Sequence, residues 1–377
     1  MKTKTTWVTV LCAIGLLLGC STVNDNYNAS KKHHRPEGFQ NNYTEATDKS
    51  GAELLRWMWQ RQRDGLPKPP QQPTPVVAPE LAFVHANVGK TQEPAITWIG
   101  HATMLVQMGG LNILLDPVFS DRVSPVQFAG PKRYQPPGIA LANLPHIDLV
   151  LISHNHYDHL DIGSVKALNT QAGGPPLFIV PLGVKKWMAD AGIENVKQMD
   201  WWDTTQVKLP LGAVDVHFTP VQHWSSRTPT DRRATLWGGY AVFAPDFQMY
   251  FSGDTGYSQD FKDTQAHFAA RQTAALGGGF DVALIAVGAY EPRWFMKEQH
   301  VNPAEAVQIH LDLKAKRSIG VHWGTFDLTD ESLDQPPKDL AAARAANGLV
   351  AQDFDVMAIG QTLKLPRRSV RVALDGR

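Results

Sequence analysis

Cysteine is nearly missing from this chain: 377 residues contain two, Cys12 and Cys20. A disulfide-stapled scaffold is therefore excluded, and stability must come from packing and from bound metal. Charge of one sign is also lacking, since 36 basic residues balance 36 acidic ones. Without a basic excess, nothing points to a polyanion, and nucleic acid is not an expected partner. The apolar run at 7–18 is too short to span a bilayer, which takes roughly 20 residues as a helix. No Gly-x-Ser-x-Gly is present to announce a serine nucleophile, and no internal repeat is evident. What remains is ordinary globular composition, 43% hydrophobic and 19% charged, with an unusual 14 histidines.

Lys2 and Lys4 precede the apolar run, which closes on Leu17-Leu18-Gly19-Cys20. This stretch reads as a targeting segment and not as part of the fold. Its end resembles the bacterial lipoprotein cleavage box, which implies removal of 1–19 as a signal peptide and lipidation of Cys20. Ser21 after the cysteine, by the same resemblance, favours the outer membrane of a Gram-negative bacterium. A plain signal peptide or an uncleaved anchor is the alternative. Residues 20–93 are expected to form a lipidated tether. Its first part, to about residue 50, is polar and Asn-rich, and Lys31-Lys32-His33-His34-Arg35 is expected to be solvated. A short helix follows at 53–59, where Leu54, Trp57 and Met58 share a face that is expected to dock on the core, with contact to the membrane as the alternative. Proline-rich 67–79 then makes a stiff connector.

The main domain is expected over 94–377. Strands are predicted at 96–99, 102–106, 111–115, 148–153, 177–180, 214–219, 239–243, 249–252, 282–287 and 318–321, with Gly109-Gly110 as a turn. Helices are predicted at 162–168, 183–191, 259–269, 303–311 and 338–346. Strands alternating with helices, after an initial run of hairpins, imply an α/β fold of layered sheets covered by helices.

The segment Ser153-His154-Asn155-His156-Tyr157-Asp158-His159-Leu160-Asp161 carries the chemistry. It packs three imidazoles and two carboxylates into eight positions directly after an apolar strand. Desolvation and repulsion make that density costly unless a cation compensates it, and imidazole with carboxylate suits zinc. One loop cannot complete two sites. His223, Asp254 and His322 each follow an apolar strand and are the candidates for the rest.

His-x-His-x-Asp-His resembles the signature of the metallo-β-lactamase superfamily. That resemblance implies an αββα sandwich, two mixed sheets flanked by helices, with two Zn2+ bound. It places His154, His156 and His223 on one zinc, Asp158, His159 and His322 on the other, and Asp254 between them. Two such ions can share a water and lower its pKa from about 15.7 towards 7. Over about 94–330 the chain further resembles the N-acylphosphatidylethanolamine phospholipase D family. The matching stretches include Gly130-Pro131-Lys132-Arg133, Asp200-Trp201-Trp202, Gln222-His223-Trp224 and the long run Gly288-Ala289-Tyr290-Glu291-Pro292-Arg293-Trp294-Phe295-Met296. It implies hydrolysis of N-acylphosphatidylethanolamine-like phospholipids to N-acylethanolamine and phosphatidate. Asp254, His300 and Tyr157 are the expected catalytic residues, His300 touching substrate or phosphate without ligating metal. Lys132, Arg133 and Arg293 are candidate phosphate contacts, Trp294-Phe295-Met296 a candidate acyl groove, and His101 a structural hydrogen-bonding residue. A lactonase or soluble-substrate phosphodiesterase, and a non-catalytic envelope lipoprotein, stay open as alternatives.

Overall fold

Period-two alternation decides the layers. In the strand Leu149–Leu151, Leu149 and Leu151 face one core while Val150 and the following Ile152 face another, and all four are fully buried. A strand buried on both faces belongs in the middle of a layered structure. The computed structural model describes residues 24–44, 49–371 and 373–374. The expected signal peptide and Cys20 lie outside the described residues.

A short ladder, β1 (His34–Arg35) with β2 (Gly38–Phe39), precedes two seven-stranded sheets. The first sheet uses β3 (Ala95–Gly100), β4 (Thr103–Met108), β5 (Leu111–Leu115), β6 (Leu149–Leu151), β7 (Leu177–Pro181) and β8 (Val196–Met199). The second uses β9 (Thr204–Leu209), β10 (Gly212–Thr219), β11 (Gly239–Ala244), β12 (Phe247–Phe251), β13 (Val282–Ala286), β14 (Ser318–Val321) and β15 (Phe354–Val356). The last strand, β16 (Thr362–Lys364), returns to the first sheet beside β3. Each sheet is antiparallel through its hairpins and parallel where longer crossovers join the strands, so both are mixed. This is the expected αββα sandwich.

Between the sheets lies one large core, to which the first sheet gives Ile113, Leu115 and Leu151 and the second Val216, Tyr240 and Phe251. The outer face of the first sheet packs on α2 (Leu81–Ala86), α3 (Ile162–Asn169) and α4 (Val184–Asp190) through Val84, Val165 and Met188. The other sheet is covered by α5 (Asp260–His267), α7 (Pro303–Asp312) and α8 (Gln335–Ala346), with α6 (Arg293–Met296) before α7. Every predicted strand and helix of the domain has its counterpart. Missed were β8, β9, β15, β16, α2 and α6. Lys197, Thr204, Gln206, Lys208 and Lys364 leave the edge strands too polar to announce themselves.

The N-terminal part departs from expectation. Residues 24–44 are not a solvated tether but a strap bound to the domain. Phe39 is buried in the main core, and its N–H bonds Arg233 O at 3.0 Å. Lys31, His33 and His34 all reach the Asp200 carboxylate, His33 at 2.7 Å and His34 at 2.9 Å. Burial opposes ionisation of Asp200, but His33 and Lys31 outweigh it and hold the carboxyl well below its usual range. The basic cluster is therefore spent inside the protein. The proline-rich stretch also lies on the domain, with Val77 N–H bonding Ile359 O at 2.9 Å and Thr74 Oγ1 donating to Gly324 O at 2.6 Å. No break in the structure falls at residue 94.

The helix expected near 53–59 is longer, α1 (Gly51–Asp64), with a Ser50/Glu53 capping box and Gly65 as a left-handed C-cap. It docks through one residue of the expected face. Trp57 stacks on Phe295 at 4.8 Å and donates its indole N–H to Asp330 at 3.0 Å. Met58 faces outward. Among the described residues no helix is long and apolar enough to cross a membrane.

The Gly109-Gly110 turn is as expected, and its second glycine is obligatory. At φ +85° an added Cβ on Gly110 would lie 2.2 Å from Leu211 O, in the neighbouring hairpin. Gly110→Ala should therefore cost roughly 2 kcal/mol or more from backbone strain and displacement. Denaturant titration checks this, and an unchanged midpoint would refute the close approach.

Candidate metal centre

Four strands deliver the candidate ligands to one edge of the sandwich. β6 runs into the loop bearing His154, His156, Asp158 and His159, while β10, β12 and β14 lead to His223, Asp254 and His322. The seven side chains converge. Asp254 Oδ2 lies 3.1 Å from His159 Nε2, 3.2 Å from His322 Nε2, and 3.9 Å from both His154 Nε2 and His223 Nε2. Asp158 Oδ2 is 3.2 Å from His322 Nε2 and 3.5 Å from His159 Nε2. On the other side, His156 Nδ1 is 2.8 Å from His154 Nε2 and 3.4 Å from His223 Nε2. Asp254 thus stands between two groups of three, the arrangement expected of it. Asp161 does not join them; it caps α3 and binds Ser120.

The backbone bends sharply to achieve this. His322 at φ +63°, Asp116 at +37° and His101 at +55° occupy positive φ without being glycine, a strain characteristic of functional sites. Gly253 permits a close approach, because a Cβ there would meet Ser153 Cβ at 2.7 Å.

Surrounding groups fix which ring nitrogen faces inward. His159 Nδ1 bonds Asp116 Oδ2 at 2.6 Å, and His223 Nδ1 bonds Gln299 O at 2.9 Å. Ser153 Oγ donates to Asp116 at 2.6 Å and lies 2.9 Å from His154 Nδ1. With Nδ1 so engaged, the Nε2 atoms of His154, His159 and His223 point at the cluster. Ring nitrogens and carboxylate oxygens crowded in a buried space need protons or a cation among them. His156 Nε2 and Asp254 Oδ1 also lie buried without a hydrogen-bond partner. The donor set therefore fits divalent metal, as imidazole and carboxylate suit zinc.

Electrostatics point the same way. Burial drives His154 and His223 well below their usual range, and His156 down to about 4, so each is a neutral donor at pH 7. Against burial, Asp254 and Asp158 push His159 well above its usual range, and Asp254 and Asp158 raise His322 to about 9. Burial likewise opposes ionisation of Asp254, yet His159, His322 and His300 hold it well below the ordinary carboxylate range. The carboxylates recruit protons where metal would bring charge.

His300 sits on the open side of the cluster, its Nδ1 3.8 Å from Asp254 Oδ2 with no hydrogen-bond partner. Burial lowers it to about 4. Tyr157, a catalytic candidate, donates its hydroxyl to Arg227 O at 3.0 Å, so its proton is committed and its ring serves as wall. His101 is a supporting residue as expected, 3.0 Å from Asp158 Oδ2. Arg133 and Arg293 are corrected as phosphate contacts. Arg133 is buried and donates to Val118 O at 2.6 Å, while Arg293 holds Glu305 at 2.7 Å and His300 O at 2.8 Å. Lys132 does not line the cavity over the cluster either.

That cavity, about 420 Å³, reaches Asp254, Asp158, His156 and His300 and is walled by Trp57, Val123, Phe295, Met296 and Leu328. Phe295 and Met296 were expected here; Trp294 turns away and carries Arg56 on its ring at 4.6 Å. The lining includes two cations that sequence reasoning missed, Lys49 and Arg232. Also missed were Asp116, which aims His159, and Arg227, whose Nη1 bonds Asn155 O at 2.8 Å and Leu160 O at 2.7 Å across the metal loop. Asp116 left one signal, an acidic residue at the end of the buried strand β5.

A family model described as the beta-lactamase superfamily domain matches residues 111–323. The chain is 41% identical over 249 residues to N-acyl-phosphatidylethanolamine-hydrolyzing phospholipase D 1 of Caenorhabditis elegans, covering 64% of this chain and 67% of that one. It is 36% identical over 258 residues to the mitochondrial N-acyl-phosphatidylethanolamine-hydrolyzing phospholipase D of Saccharomyces cerevisiae, covering 68% of this chain and 53% of that protein. The fold is similar to that of an isothiocyanate hydrolase from Delia radicum gut bacteria, with TM-score 0.55 and 16% identity, covering 72% of this chain and 99% of the other.

Two outcomes follow from the site. Asp116→Asn should lower metal affinity by about 10–100-fold, as loss of a ligand-orienting carboxylate does; competition with a chelator measures it, and unchanged affinity would remove Asp116 from the site. Metal must also displace the protons held by His159 and by His322 below pH about 9. Apparent affinity should therefore rise from pH 6 to 9 by about tenfold per pH unit for each proton released. A flat profile would contradict this charge arrangement.

Proposed function

Since the chain belongs to the beta-lactamase superfamily and is a metal-dependent hydrolase, we propose that it is a zinc-dependent phosphodiesterase of the phospholipase D type. Its substrate in this reading is an N-acylphosphatidylethanolamine-like phospholipid, hydrolysed to N-acylethanolamine and phosphatidate. Its location is the cell envelope, held by lipid on Cys20, with the outer membrane favoured by Ser21. The cavity carries the proposal: an apolar wall of Trp57, Val123, Phe295, Met296 and Leu328 joins two cations and the Asp254 cluster in one space. An acyl chain suits the wall and a phosphodiester suits the cations. The names of the worm and yeast relatives support the same substrate class.

His154, His156 and His223 would hold one zinc, Asp158, His159 and His322 the other, with Asp254 shared. Bound there, the ions would bring a water's pKa towards neutrality and screen charge on the attacked phosphoryl group. The protein's own groups do the rest. His300, neutral at pH 7 and unpartnered at Nδ1, can donate to a phosphate oxygen. Lys49 and Arg232 neutralise the diester charge and orient it. Arg293 holds the His300 backbone, and Arg227 clasps the metal loop.

Helix α1 supports access from a membrane. Trp57 lines the cavity, while Leu55, Met58 and Trp59 on its other faces are 68%, 56% and 59% exposed. Arg56 and Arg63 lie among them. Apolar side chains mixed with cations suit an anionic lipid surface.

The test is hydrolysis of N-acylphosphatidylethanolamine beside a lactone panel, with metal content measured on the same protein. About two zinc ions per chain, and ethanolamide release abolished in Asp254→Ala, is the expected result. Leu55→Asp with Trp59→Asp should cut turnover on vesicles at least about tenfold yet spare turnover on detergent-dispersed lipid. Lactone opening without lipid hydrolysis would overturn the proposal.

A further inference from the structure

His223 lies in the loop after β10, where neither its N–H nor its C=O has a strand to pair with. Both are satisfied by one side chain 182 residues away. Asn41 Nδ2 donates to His223 O at 3.0 Å, and His223 N–H donates to Asn41 Oδ1 at 3.0 Å. The same Oδ1 accepts the Trp237 indole N–H at 3.0 Å. A primary amide offers donor and acceptor side by side, so Asn41 makes the pair of bonds that a neighbouring strand would make. It is buried, and such bonds are costly to leave unmade.

Asn41 is itself held from both directions. Upstream, Phe39 N–H bonds Arg233 O and Lys31, His33 and His34 close on Asp200. Downstream, Asn42 Nδ2 donates to Asp260 at 2.8 Å on α5. At the other end of His223 its ring is fixed by Gln299 O. The backbone of this ligand is thus set by the strap and its imidazole by the loop before α7. No bond from its own strand holds it.

We propose that Asn41 is a positioning residue for the His223 metal subsite. This rests on the reading of His223 as a zinc ligand. The family match spans residues 111–323 and so does not include Asn41.

The experiment uses the full chain in detergent, loaded with zinc and separately with cobalt. Wild type, Asn41→Ala, Asn41→Asp and Asn42→Ala are compared by metal content, by release to a chromogenic chelator and by the visible spectrum of the cobalt form. Wild type should hold two equivalents. In Asn41→Ala one equivalent should leave at least about tenfold faster, the scale of loss for a group that orients a metal ligand, while the second keeps its rate and one cobalt band shifts. Asn41→Asp keeps the acceptor for His223 and Trp237 and loses the donated bond, so it should be intermediate; it serves as the test should Asn41→Ala not fold. Asn42→Ala removes one strap contact without touching His223, and with Phe39 and the Asp200 cluster still holding Asn41 it should match wild type. Equal loosening of both equivalents, the same loss in Asn42→Ala, or wild-type release in Asn41→Ala would each overturn the proposal. A wild type that binds no metal would instead overturn the ligand assignment on which it stands.

Discussion

Everything in this molecule answers to one constraint: imidazole nitrogens and carboxylate oxygens must be held within about 4 Å of one another at the largely buried floor of a cavity. Such a cluster is repulsive when empty of cations, and isolated buried charge is expensive. The two-sheet core supplies the rigidity that resists this repulsion. Four strands end at one edge, each anchored by residues buried on both faces, so the ligands cannot drift apart without breaking the sandwich. Positive φ at His322 and Asp116 belongs to the same bargain, local strain held by a stiff surround.

Around that cluster runs a second layer with a consistent logic: each supporting group fixes an orientation instead of supplying a ligand. Asp116 aims His159 and, through Ser153, His154; Gln299 O aims His223; His101 bonds Asp158. Arg227 closes the metal loop on itself, and Arg293 holds the backbone of His300. The arginines that looked free to meet phosphate are therefore structural. Lys49, just before α1, and Arg232, in the loop before β11, line the cavity.

This division also explains what the residues alone could tell. The candidate ligands were legible because each sits at the end of an apolar strand, and because His154, His156, Asp158 and His159 crowd one loop beyond what chance or stability would favour. The sheets were legible from alternation and from Gly109-Gly110. The supporting layer was not, since a lone Asn41, Asp116 or Arg227 has no pattern of its own; its role exists only once distant segments meet. The strap was misread for the opposite reason. Asparagine and a basic pentad look solvated, but one phenylalanine, Phe39, and one buried carboxylate, Asp200, are enough to bind the segment down. The edge strands escaped because a strand with one neighbour carries polar residues, which hides its period.

The docked strap changes what a lipid at Cys20 would accomplish. Asn24 is the first described residue, and its side chain bonds Gly38 O at 2.8 Å. Four residues fully extended reach at most about 14 Å. If Cys20 carries lipid, as proposed, the domain could not range over a hemisphere on a long leash; it would lie against the bilayer in a restricted set of orientations. Leu55, Met58 and Trp59 would then have to face the surface within that set for the cavity to open onto lipid. Anchor, strap and α1 form one geometric requirement, and a short tether helps catalysis only if the face it presses to the membrane is the face that carries the cavity.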